Sequence, residues 1–174
     1  VHVCTFDNFH AQKENIYRVI TSHRTVDREW ELALSPFSIA ERLNSELVGI
    51  EKTVRINSSF SADVVSGNLN IPLQGYYTEP SFLQVFNYPL ISGNPLSALQ
   101  KPNSILLTET AARKLFNTTD VLGRTFEVTG QGNFEVAGVL LDPPKNSHMV
   151  FEALVSHSTL PPAEQTYSGD FKDW

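Results

Sequence analysis

Cysteine, charge and long apolar runs are all scarce in this sequence, and each shortage excludes a class of protein. Cys4 is the single cysteine among the 174 residues, so no disulfide can form within the chain. Charged residues make up only 18% of the chain, with a net charge of −6 and no Lys- or Arg-rich run, which argues against a nucleic-acid partner. No apolar stretch approaches the ~20 residues that a membrane-spanning helix needs.

Hydrophobic residues are plentiful instead, at 41%, and they include 11 Phe, 5 Tyr and 2 Trp. Such a composition can bury a core, so we predict one folded domain, or two small lobes, rather than a disordered chain. The sequence starts at Val1 without an initiator Met and stops at Trp174 without an evident last element. We therefore expect it to be a piece of a longer protein.

The first part of the chain is predicted to contain two helices, each followed by a strand. The predicted bounds are 6–17 and 36–47 for the helices, and 17–21 and 50–60 for the strands. Asp7 could cap the first helix, whereas Ser35 and Pro36 would start the second and Gly49 would end it. The stretch 22–31 is predicted to be a loop or a hairpin connection.

The middle of the chain is richer in strand signals, and the last third returns to an α/β pattern. The predicted strands are 62–65, 73–78, 104–107, 125–129, 133–140 and 149–155, with a short helix or turn at 81–86 and a helix at 109–116. Thr108 would cap that helix, and Gly130-Gln131-Gly132 would form a hairpin turn. The polar tail at 157–174 is expected to be weakly ordered. Two α/β units around a β-rich insert predict an α+β fold.

A search for catalytic and metal-binding motifs finds none in the sequence. The five histidines form no HExxH motif, and the serines form neither a G-x-S-x-G nor an S-x-x-K motif. Gly130-Gln131-Gly132 lacks the helix and lysine of a phosphate loop. His148 and Glu152 could pair at the surface, and a metal site there is the less favoured alternative. We predict no catalytic residue, no metal site and no cofactor site.

Three aromatic residues in the β-rich segment 61–93 are candidates for contact with a partner protein. These residues are Tyr76, Tyr77 and Phe82. Aromatic side chains are frequent at the centres of protein interfaces, but plain packing in the core is the alternative for all three.

Several short phrases, each weak alone, occur in an order that resembles a known family. They are 6–10 (FDNFH), 16–19 (IYRV), 53–55 (TVR), 81–86 (SFLQVF), 88–90 (YPL), 102–109 (PNSILLTE), 121–124 (VLGR), 134–139 (FEVAGV), 142–144 (DPP) and 146–148 (NSH). Over residues 6–156 the chain resembles the MacB-like periplasmic core domains of FtsX-like ABC transporter permeases, in the versions common in Bacteroidetes-type bacteria.

The resemblance implies an architecture and a location. Residues 1–60 and 100–156 would form a porter-like α/β lobe, and residues 61–99 a β-rich, Sabre-like lobe together with a C-terminal part that this sequence lacks. The domain would be periplasmic and anchored in the inner membrane by helices outside this sequence. Helix 6–17 would lead out of the first membrane helix as a mechanical link.

The resemblance also implies a function without covalent chemistry. The domain would transmit ATP-driven motion to a periplasmic protein or cargo, and it would bind no cofactor itself, because ATP would bind a separate cytoplasmic ATPase. Two alternatives stay open. A periplasmic ligand-binding or sensor module would need a concave pocket with convergent polar groups. An enzyme, most plausibly a hydrolase, would need a catalytic site that the motif search does not find.

Overall fold

The computed structural model describes residues 7–32, 35, 36, 38–66 and 69–165. Its strands are β1 (Thr21–Arg24), β2 (Glu29–Leu32), β3 (Ile56–Ser66), β4 (Leu69–Thr78), β5 (Leu90–Gly93), β6 (Ser104–Thr108), β7 (Thr125–Val128), β8 (Gly132–Leu140) and β9 (Ala153–Ser156). Its helices are α1 (Ile39–Glu46), α2 (Phe82–Val85), α3 (Glu109–Phe116) and α4 (Pro162–Gln165), with 3-10 turns at Lys13–Asn15 and His157–Thr159. This mixture of a large sheet with few helices confirms the predicted α+β class.

Seven strands form one mixed sheet, and β1 and β2 form a separate hairpin. The order in the large sheet is β5-β8-β6-β9-β4-β3-β7, and β7 also pairs with β8, so six of the strands close a circuit. The long strand β8 makes this possible, because its first half pairs with β7 and its second half with β5. The pairs β4–β9 and β6–β8 are parallel.

The core lies on both faces of the central strand β6. Side chains alternate along a strand, so Ile105 and Leu107 pack in one cluster and Leu106 in the other. The first cluster is closed by the apolar face of α3, which contributes Ala111 and Ala112. The second cluster is rich in aromatic rings and extends toward α2. A strand that is covered on both faces is expected to be apolar throughout, as β6 is.

Helix α3 forms where it was predicted, because its start and stop signals are local. The Thr108 hydroxyl oxygen accepts a hydrogen bond from the Ala111 backbone N–H at 3.2 Å, which caps the first turn. Asn117 follows the helix with φ of 58°, the left-handed conformation in which helices commonly end.

The helix predicted over 6–17 is wrong. Residue 6 lies outside the described residues, and 7–17 contain only the 3-10 turn Lys13–Asn15. Asp7 has φ of 53°, and its N–H donates to the carbonyl oxygen of Asn146 at 2.9 Å. Bonds to distant parts of the chain therefore replace the i to i−4 bonds that a helix would need.

Other predicted boundaries also need correction. Residues 16–20 are not a strand, and the first hairpin occupies most of 22–31. Helix α1 begins at Ile39 instead of residue 36, and Phe37 lies outside the described residues. The strand predicted over 50–60 begins at Ile56 and includes 62–65, because the apolar alternation of Phe60, Ala62 and Val64 continues without a break. The last strand is shorter than predicted and begins at Ala153.

Residues 157–165 are ordered, contrary to the weakly ordered tail predicted from 157. His157 and Leu160 are buried, and the Gln165 side-chain amide donates to the carbonyl oxygens of Ser158 and Leu160. Residues 166–174 lie outside the described residues. Strands from both predicted lobes share the large sheet, so a boundary between 61–99 and its flanks, which stays a prediction, would cut through that sheet.

Candidate functional site

The three aromatic residues predicted to contact a partner do not share a surface. Phe82 is 0% exposed and Tyr77 is 6% exposed, so neither offers a side chain to a partner, and core packing is the correct alternative for both. Tyr76 and Tyr77 are successive residues of β4 and point to opposite faces of the sheet. The Tyr77 hydroxyl donates to Gln131 Oε1 at 2.8 Å, whereas the half-buried Tyr76 donates to the Val150 carbonyl oxygen at 3.2 Å. Contact between Tyr76 and a partner stays a prediction.

The most specific polar arrangement in the described chain fastens its first residues to the sheet. We call residues 7–11 the N-terminal anchor. The backbone of Asn87, in the connection between α2 and β5, donates its N–H to His10 Nδ1 at 3.0 Å. Its side chain accepts from the Ala11 N–H through Oδ1 at 2.7 Å. Asn87 thus holds two successive residues of the anchor from a point 76 positions away in the sequence.

A carboxylate and an imidazole form the second attachment of the N-terminal anchor. Asp7 Oδ2 lies 2.6 Å from His148 Nδ1, and Asp7 Oδ1 accepts the His148 backbone N–H at 3.1 Å. Burial alone would raise the pKa of Asp7, but the hydrogen bonds from His148 outweigh burial and hold that pKa below its ordinary value. The Asp7 side chain is 33% exposed and that of His148 68%, so water screens the pair in part.

Aromatic rings form the third attachment. His10 is only 4% exposed and lies among the rings of Phe9, Phe86 and Tyr88, with centroids at 4.0, 5.2 and 5.5 Å. The Tyr88 ring stacks on that of Phe82 at 5.6 Å, which continues the contact into the second core cluster. Burial raises the pKa of Tyr88 to about 12, so its hydroxyl stays neutral and hydrogen-bonds with Ser147 Oγ at 2.9 Å.

The hydrogen bonds of His10 define its protonation. Because Nδ1 accepts an N–H from Asn87, Nδ1 carries no proton and the neutral ring must carry its proton on Nε2. Nε2 is buried, and no group among the described residues accepts a hydrogen bond from it. Burial lowers the pKa of His10, and the nearby charge of Asp7 opposes this only in part.

Other parts of the described chain carry weaker candidates. Two clefts, of about 540 and 490 Å³, are open at the surface; the first lies beside Glu79 and the second beside Lys101. The surface pair predicted for His148 and Glu152 does not form, because His148 pairs with Asp7 and Glu152 with Lys114. No group of three or more His, Cys, Asp or Glu residues in the described ranges could hold a metal ion. Within the same ranges, no helix is long and apolar enough to cross a membrane.

Solved structures with the same fold are extracytoplasmic domains of transporters. A domain assigned to a permease of Porphyromonas gingivalis shares 24% identity and a TM-score of 0.71 over 84% of this chain. The periplasmic region of MacB from Actinobacillus actinomycetemcomitans shares 20% identity with a TM-score of 0.54 over 79%. The extracellular domain of the noncanonic ABC-type transporter YknZ from Gram-positive bacteria shares 17% identity with a TM-score of 0.53 over 75%.

This fold, with its first residues fastened across the sheet, is therefore that of an extracytoplasmic transporter domain. The profile of the family described as MacB-like periplasmic core domain matches residues 5–171, so the chain belongs to that family and is a periplasmic domain. The resemblance found in the ordered phrases is thereby confirmed. The chain spans 64%, 58% and 66% of the three solved domains, respectively. No curated protein sequence matches it.

The sequence contained a signal for the N-terminal anchor that motif logic missed. His10 lies in the phrase FDNFH and His148 in the phrase NSH, and the two phrases meet in the fold through Asp7. Separation by 141 residues hid this pairing from any reasoning based on local spacing.

Proposed function

We propose that this domain works within an ABC transporter permease and transmits ATP-driven motion from the membrane to a periplasmic protein or cargo. A cytoplasmic ATPase would supply the motion through the membrane helices of the permease, and the domain itself would perform no covalent chemistry. Family membership supports the permease context. The N-terminal anchor is the observation that carries the mechanical part of the proposal.

A link that transmits force must resist displacement relative to the body that it moves. The N-terminal anchor meets this requirement, because it is held at Asp7 by the 146–148 segment and at His10 by Asn87. The first of these attachments leads to β8 and β9, and the second to β5. A displacement of residue 7 would therefore reach the large sheet by two routes. A flexible tether with no side-chain contacts would instead absorb the displacement.

The proposal is tested in the full-length permease with its ATPase, expressed in a host that lacks its own copy. Cargo is defined as the material whose export differs between the wild-type and the deletion strain by mass spectrometry. Asp7→Ala removes both bonds to His148, and we expect it to lower export several-fold while the purified complex hydrolyses ATP at the wild-type rate. The matched control is Asp27→Ala, which removes an exposed carboxylate in the connection between β1 and β2.

Two results would contradict the proposal. Export at the wild-type level with Asp7→Ala would show that the N-terminal anchor carries no motion. Export that depends on a ligand bound to the isolated domain would favour the sensor alternative, and a thermal-shift screen of the isolated chain detects such a ligand through a raised Tm.

A further inference from the structure

His10 is held in a way that tolerates one protonation state only. Its Nδ1 accepts the Asn87 N–H at 3.0 Å, so a proton on Nδ1 would place two N–H donors against each other. The ring is 4% exposed and enclosed by Phe9, Phe86 and Tyr88, so the positive charge of a protonated ring would meet no water. Protonation of His10 therefore breaks a hydrogen bond and buries a charge at the same time.

We propose that the N-terminal anchor is a pH-sensitive switch, closed while His10 is neutral and opened when the ring takes up a second proton. Opening releases His10 from Asn87 and lets the ring reach water. The consequence for transport rests on the function proposed above, since an open anchor would uncouple the domain from the membrane. The switch itself is a property of the domain and does not depend on transport.

The groups around His10 set the direction of the response. Asp7, on the same segment, is the charged group that favours the protonated ring, and it is already engaged by His148. Tyr88 contacts the ring from the α2–β5 connection and stays neutral, because its pKa is about 12. Lys13 is bonded to Asn8 Oδ1 at 2.8 Å on the exposed side of the segment. Burial outweighs the attraction to Asp7, so the pKa of His10 in the closed state lies below its ordinary value.

The sign of the pH dependence follows from this lowered pKa. In the open state His10 titrates near ~6.5, as in a model peptide. Between that value and the lower pKa of the closed state, the open state binds one proton more than the closed state. The opening constant therefore rises about tenfold for each pH unit below ~6.5, levels off below the closed-state pKa, and is constant above ~6.5.

Amide hydrogen exchange of the 174-residue chain measures this constant. The reporters are the N–H groups of Ala11 and Asn87, followed by NMR from pH 7.5 to 5 and expressed as protection factors relative to intrinsic exchange rates. We expect both factors to fall about tenfold per pH unit below ~6.5. The matched variant is His10→Asn, whose side-chain oxygen takes the place of Nδ1 as acceptor but cannot be protonated; its factors should not change with pH.

A second measurement needs no variant, and a second variant tests the neighbouring histidine. The ring nitrogens of His10 in the wild-type chain should show a bare Nδ1 and a protonated Nε2 at pH 7.5. In His148→Asn the fall in protection should persist. The proposal is overturned if the wild-type factors are independent of pH, if His10→Asn shows the wild-type slope, if His148→Asn abolishes it, or if Nδ1 carries the proton. None of these readouts involves transport, so failure of the switch and failure of the proposed function are distinguishable.

Discussion

The attachment of Asp7 to His148 can be measured by a double-mutant cycle in the isolated chain. A hydrogen bond to a charged group contributes about 1.5–3 kcal/mol when buried. Here the side chains are 33% and 68% exposed, so we expect screening to reduce the coupling between them to about 1 kcal/mol. Asp7→Ala alone should cost more, about 1–2 kcal/mol, because it also removes the acceptor of the His148 backbone N–H.

The assay is urea unfolding of four chains: wild type, Asp7→Ala, His148→Ala and the double variant. Each kcal/mol should also lower Tm by about 2–4 °C for a chain of this length. The cycle has a pH dependence with a definite sign. The pKa of Asp7 is lowered in the folded chain, so its contribution is present above the unfolded value of 3.8 and is lost as the pH falls through the folded-state pKa. A coupling energy within about 0.3 kcal/mol of zero at pH 7 would refute the reasoning, because independent sites add to within that error.

Three further predictions concern stability. Phe82→Ala should cost about 3–5 kcal/mol, since the side chain is fully buried among aromatic rings, and chemical denaturation would detect the loss. Gly75→Ala should lower Tm strongly, because a Cβ there would lie 1.9 Å from the carbonyl oxygen of Ala153 and would separate β4 from β9. Thr108→Ala should cost about 1 kcal/mol by circular dichroism melting, because it removes the cap on the Ala111 N–H.

Each of these variants has a control on the exposed surface of the chain. Ile91→Ala replaces a large apolar side chain that is 44% exposed, and its loss of stability should be well below that of Phe82→Ala. Gln74→Ala lies next to Gly75 on β4 and is exposed, and Thr125→Ala removes an exposed hydroxyl at the start of β7. Equal losses for a variant and its control would contradict the corresponding assignment.

Sequence reasoning succeeded where the structure-forming signals are local. Helix α3 was predicted over 109–116 because Thr108 caps it and helix formers fill it. The hairpin of β7 and β8 was predicted because alternating strands flank a glycine turn, and Gly130 and Gly132 both have positive φ there. The apolar run 104–107 was predicted to be a buried strand, and it became the central strand β6. The phrases spread over 6–156 identified the family correctly.

The same reasoning failed where distant residues decide the local conformation. Phe9 and His10 have helical spacing relative to their neighbours, yet rings from 86–88 hold them in a segment that is not helical. The predicted partner-contact residues were mostly core, because an aromatic strand residue gives no sign of which face of the sheet is covered. The N-terminal anchor was invisible for a related reason. Its partners at Asn87 and His148 are brought to it only by the closed circuit of strands.

The central claim is that this periplasmic domain moves with the membrane part of a permease through its N-terminal anchor. The most direct test is a distance measurement by double electron–electron resonance in the full-length permease assembled with its ATPase. One spin label is placed at Leu122→Cys, a side chain that is 53% exposed, with Cys4→Ser to remove the other cysteine of this domain. The second label is placed at the cytoplasmic end of a membrane helix. We predict a distance that changes between the nucleotide-free and ATP-bound states, and a smaller change with Asp7→Ala. An identical distance in both states of the wild type would contradict the claim.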